Sequence, residues 1–172
     1  MDTVLTLASP AFSHNGIIPK KYTCDVPVRW QTWDRDISPP LSIRGAPEGT
    51  ESFVLIMDDP DIPKAVKESL GIEVFDHWVL YNIPMSVTEI PESASTKTGY
   101  GIAGLNSSGS VGYVGPCPPL HHEPSEHRYI FSLYALGKML RVKDVPTAHQ
   151  IREALAPMVL ARAELIGRYS RT

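Results

Sequence analysis

A chain of 172 residues with a formal net charge of -3 can close one hydrophobic core but is short for two ordinary domains, so a single domain over 1–172 is expected. Only 16 Lys and Arg, scattered along the chain against 19 Asp and Glu, exclude the basic footprint of a nucleic-acid binder. No run approaches the roughly 20 apolar residues of a membrane span, and the stretch from Met1 to Leu7 has neither a basic region nor a long apolar one, so the expectation is a soluble, cytoplasmic protein with no integral membrane segment.

The 16 prolines favour many short strands and shaped loops over long helices. In chain order, Val4-Leu5-Thr6-Leu7 reads as an edge-like strand, His14-Asn15-Gly16 as a turn, and Ile18 to Cys24 as extended chain. Val26 to Arg35, with Trp30 and Trp33, has no clear period. Ser38-Pro39-Pro40-Leu41 is a proline-locked turn. Ser52 to Met57 is a continuous apolar run bounded by turn signals, the pattern of a strand covered on both faces; it ends abruptly at Asp58-Asp59-Pro60. Lys64 to Phe75 gives a weak helical turn and then an extended piece. Asp76 to Pro84 is a strand by its β-branched and aromatic content, and Val87 to Leu105 is a loop.

The next stretch, Gly112-Tyr113-Val114-Gly115-Pro116-Cys117-Pro118-Pro119, cannot be ordinary helix or central strand, because its prolines fix torsions and remove amide donors. It is a rigid loop. From His127 to Leu136 residues alternate, placing His127 and Tyr129 on the same face as Phe131, Leu133 and Ala135. Two polar tips therefore stand at the mouth of a core. Only the C-terminus reads as helical: Thr147 with Gln150 forms a capping box, and Ile151, Leu155, Val159, Leu165 and Ile166 form an apolar stripe that Pro157 divides. Strands first and helices last predict a mainly β (α+β) fold, an antiparallel two-sheet β-sandwich with one or two C-terminal helices.

Enzyme readings find little support. Cys117 near His127 suggests a thiol nucleophile, but the proline-clamped loop offers no helix N-terminus to lower its pKa, and Ser107-Ser108 lacks a nucleophile elbow. His121, His122, Glu123, Glu126 and His127 do not form a paired metal-ligand motif, so no metal and no cofactor are expected. Cys24 and Cys117 can pair or stay reduced; without a signal peptide, reduced thiols are the expectation.

Seven blocks carry a resemblance spanning nearly the whole chain: Tyr22-Thr23-Cys24, Ser38-Pro39-Pro40-Leu41, Asp59-Pro60-Asp61-Ile62-Pro63, His77 to Pro84, Gly115 to Pro119, His127 to Phe131 and Leu133 to Leu136. In this order they resemble the phosphatidylethanolamine-binding protein family, also called Raf kinase inhibitor-like proteins, in its bacterial and archaeal branch. The resemblance implies a two-sheet sandwich and a non-enzymatic pocket for small anions or phosphorylated head groups. By motif, that pocket is built from Asp59, His77, the backbone of Cys117, Pro118 and Pro119, His127 and Tyr129. Cis-prolines near Asp61-Ile62-Pro63 and Pro39 are a further expectation of the family. So is a protein partner, a serine protease or a kinase met through surface loops, and a homodimer is compatible with it.

Physical chemistry is consistent with such a pocket: two imidazoles and a phenol can donate to phosphoryl oxygens without Lys or Arg. Asp59 would hold one imidazole in a donating tautomer, accept from an amine, or bond a protonated phosphate oxygen. The chain departs from the family pattern in three respects. Leu120 to Glu126 is a long link whose His121 and His122 would recontour the rim, Val26 to Arg35 and Lys64 to Phe75 look like insertions, and Pro157-Met158 replaces a Gly-His pair.

Overall fold

Two faces of one large sheet organise the molecule. The computed structural model describes residues 4–26 and 36–171, so Trp30 and Trp33 lie outside the described residues. Its elements are β1 (Thr6–Ala8), β2 (Gly16–Ile17), β3 (Leu41–Arg44), β4 (Ser52–Asp59), α1 (Lys64–Leu70), β5 (Phe75–Pro84), β6 (Glu89–Ile90), β7 (Ile102–Ala103), β8 (Glu126–Leu136), α2 (Ala148–Leu155) and β9 (Val159–Ser170). They form a six-stranded sheet in the order β2-β9-β8-β4-β5-β7 and a three-stranded sheet, β1-β3-β6. Pairing is antiparallel except between β2 and β9.

β4 is central because its apolar run has both faces to bury. Phe53, Leu55 and Met57 face the smaller sheet, in a core with Phe131, Leu133, Leu41 and Ile43. Val54 and Ile56 point the other way, onto Ile151 and Leu155 of α2. The alternation expected along β8 holds: His127, Tyr129, Phe131, Leu133 and Ala135 are all buried. Burying side chains of this size stabilises by about 1.5 to 3 kcal/mol each, before the entropy of ordering them is counted.

Several sequence expectations are corrected. β4 continues through Asp58 and Asp59, because those carboxylates find partners at the strand end. The loop from Val87 to Leu105 contains β6 and β7, two-residue strands too short to leave a period. α2 starts at the Thr147–Gln150 capping box as expected, but the apolar stripe beyond Leu155 is not helix. After a 3-10 turn at Ala156–Met158, the chain becomes β9, whose buried Leu165, Gly167 and Tyr169 recur every second residue. Among the described residues the cis peptide bond is Glu123–Pro124, not one near Pro63 or Pro39.

Cys24 and Cys117 form a disulfide, contrary to the reduced state expected. The pairing follows from packing. The Cys24 N–H donates to Pro116 O at 3.0 Å, and a Cβ on Gly115 would meet Tyr22 O at 2.8 Å, so only glycine lets these two segments approach this closely. Such bonds persist mainly in oxidising compartments, which runs against the cytoplasmic expectation. No helix of the described residues is long and apolar enough to cross a membrane.

Candidate functional site

Because β4 runs antiparallel to both neighbours, its last residues lie beside the first residues of β5 and β8. Asp59 thus sits between His77 of β5 and His127 of β8, residues far apart in sequence. The three are almost wholly buried, at 2%, 5% and 1% exposure. His127 reaches this position by simple alternation. His77 does not: Met57 pairs with Trp78 and Asp58 with Asp76, so His77 is an extra residue in β5. That β-bulge re-aims the imidazole to the face that Phe75 and Asp59 share.

Each ring is fixed by its δ nitrogen. His127 donates through Nδ1–H to Asp59 Oδ2 at 2.7 Å, while Asp59 Oδ1 accepts from the Asp61 N–H at 2.8 Å. His77 donates through Nδ1–H to Val114 O at 2.8 Å, and the Val114 N–H donates back to His77 O at 2.9 Å. In their neutral forms both rings therefore carry the lone pair on Nε2. The carboxylate holds His127 in a tautomer whose outer nitrogen accepts, so donation to an anion requires either imidazolium or a proton from the ligand. Nε2 of His127 is buried and has no hydrogen-bond partner among the described residues. Burial holds the His77 pKa below its ordinary value, opposed by its bond to Val114 and by Asp59.

The groups frame a cavity of about 260 Å³ lined by Asp59, Ile62, Pro63, Val66, Phe75, His77, Val114, Gly115, Cys117, Pro118, Pro119 and His127. Six of the seven residues expected at the site are brought together here. Tyr129 is the exception: it lies against both rings, T-shaped to His77 at 5.2 Å and stacked near His127 at 6.4 Å, but is not among the lining residues. Its hydroxyl is buried without a partner, and burial pushes its phenol well above the usual range, so it stays neutral.

Sequence reasoning missed the wall made by α1. Val66 and its neighbours Ile62 and Pro63 line the cavity, although an isolated helical turn carried no signal of a site. The long link behaves differently from expectation: Leu120, His121, His122, Glu123 and Pro124 are exposed and do not line the cavity. Asp61 is structural, chelating Arg128 through Nε at 2.8 Å and Nη2 at 2.7 Å. Cys117, being disulfide-bonded, has no thiolate to offer as nucleophile, and no metal-holding cluster of three or more His, Cys, Asp or Glu occurs among the described residues.

A two-sheet sandwich with a pocket where β8, β4 and β5 meet defines the architectural class. A family model described as phosphatidylethanolamine-binding protein matches residues 8–170, and the chain belongs to that family. It is 37% identical over 168 residues to a UPF0098 protein of Chlamydia pneumoniae, covering 98% of this chain and 100% of that one. The crystal structure of a phosphatidylethanolamine-binding protein homologue from Chlamydia trachomatis superposes with a TM-score of 0.84 at 37% identity, covering 99% of both chains. E. coli YbcL, described as a member of the mammalian family, gives 0.78 at 25% identity, covering 98% of this chain and 99% of that one.

Proposed function

We propose that the protein binds a small oxyanion, a phosphoryl group or its like, in the cavity between His77 and His127, and does so without turnover. The observation that carries this is the buried, unpartnered Nε2 of His127, backed by the Asp59 carboxylate at Nδ1. A buried polar atom without a partner costs about 1 to 3 kcal/mol, and a ligand oxygen that shares a proton with it would supply that partner. The bond between oxyanion and ring needs one proton, carried either by Nε2 or by the ligand oxygen. The reading of a protease or kinase regulator rests on surface loops, and the buried unpartnered ring belongs to the cavity, so the cavity reading is preferred.

Sulfate tests this, because it does not itself titrate near neutrality. Amide shifts should move at Asp59, His77, Val114 and His127 on titration with sulfate, with affinity rising several-fold from pH 8 to pH 6, and the response should vanish in His127→Gln. Affinity flat across that range, or a response unchanged in the folded variant, would remove the histidines from the site.

A further inference from the structure

We infer, resting on the oxyanion reading above, that the anion this cavity takes is an ester bearing a compact apolar group, an aromatic ring or short branched chain, in preference to an ethanolamine ester. A tetrahedral oxyanion displaces on the order of two or three waters of ~30 Å³ each, so most of the approximately 260 Å³ cavity is left for what the anion carries. That remaining space is apolar. Away from Asp59 and the two imidazoles its described walls include Ile62, Val66, Phe75, Val114 and Pro118.

An ammonium group would find no unpartnered carboxylate oxygen there among the described lining residues. Asp59 is the carboxylate among the described lining residues, and each of its oxygens already accepts a hydrogen bond, one from His127 and one from the Asp61 N–H. The nearby Asp61 carboxylate is chelated by Arg128.

α1 makes the apolar preference specific. The helix buries none of its residues completely, so half-buried Val66 keeps apolar surface facing the cavity and water. An occupant with an apolar group covers that surface, and the gain scales with the area removed from water. Val66 is therefore the specificity-determining residue, acting on the substituent and not on the anion.

The test compares calorimetric affinities of the intact, oxidised protein for inorganic phosphate, phosphorylethanolamine and phenyl phosphate, in the wild type and in Val66→Ser. Phenyl phosphate is expected to bind about tenfold more tightly than phosphorylethanolamine, and Val66→Ser to cut that ratio about threefold, with its thermal unfolding recorded to confirm the fold. Equal or tighter binding of phosphorylethanolamine, or a ratio untouched by Val66→Ser, overturns the inference while leaving the oxyanion site in place. Failure of inorganic phosphate and both esters to bind overturns the oxyanion reading and this inference with it. Sedimentation with phosphatidic acid vesicles separates a lipid source from a free ester: pelleting with vesicles but no binding of phenyl phosphate also overturns the compact group.

Discussion

Asp58 and Asp76 stand opposite each other across the β4–β5 ladder, and a single nitrogen of Arg152, Nη2, donates to both at 2.9 and 2.7 Å. These two carboxylates are the chain neighbours of Asp59 and His77, turned to the α2 side of the sheet while the site residues face the cavity. The guanidinium thus braces, from behind, the two strand ends that carry the pocket.

Burial pushes the Asp58 pKa up to about 6, helped by Asp76 and opposed by Arg152 and Arg162. With the folded value above the ordinary carboxylate range, the folded state binds more protons between about pH 4 and 6, and charging Asp58 lowers stability as pH rises through that window. Arg152→Met should therefore cost about 3 kcal/mol at pH 8, where two unpaired carboxylates face each other, and much less near pH 5. Urea unfolding at both values checks this, and an equal loss would mean that Asp58 does not titrate there.

His77 titrates in the opposite sense. Its pKa is depressed by burial, so below about pH 6.5 the unfolded chain takes up a proton that the folded ring resists. Stability is lost as pH falls through that point. His77→Asn retains a donor for Val114 but has no titrating ring, so the wild type should lose about 1 kcal/mol per pH unit relative to it between pH 6.5 and 5. Parallel denaturation curves at every pH would contradict the assignment of neutral His77.

The Tyr129 hydroxyl is buried with no partner, and deleting such a group removes a desolvation cost. Tyr129→Phe should be neutral or stabilising by about 1 kcal/mol, and should change sulfate affinity by less than about twofold. A tenfold loss of affinity would bring Tyr129 into direct contact with the anion.

The Cys24–Cys117 bond closes a loop of sequence separation 93, which in the chain-entropy account is worth about 4 to 5 kcal/mol. Unfolding with and without dithiothreitol should differ by roughly that amount. Since Cys117 is exposed, reduction should not require prior unfolding, and a difference below about 1 kcal/mol would mean that the bond does not form in solution.

Much of the architecture was legible in the sequence because it rests on local period. β8 declared its faces through alternation, and β4 declared its double burial through an unbroken apolar run. α2 was legible at its start, where the capping box is a local device, but not at its end. Leu165 and Ile166 suit a helical stripe as well as a strand, and burial of Gly167 beside Ile18 and Phe12 decides for the strand. The site was legible only as a resemblance among its motifs. The bulge that turns His77 inward depends on how β4 pairs with it, the disulfide depends on a glycine-permitted approach between segments, and Val66 faces the cavity only because α1 folds back over the strand ends. None of these leaves a periodic trace.

The clamp between His77 and Val114 spans 37 positions, the Asp59–His127 pair 68, and the disulfide 93. A piece of the chain that holds all of these partners must run at least from Cys24 to His127. Pairings this distant in sequence form slowly, because loop closure must precede any contact that rewards it. A peptide carrying only the stretch from Gly112 to Tyr129 would hold the proline-rich loop and His127 but neither Asp59 nor His77, and would lack the site.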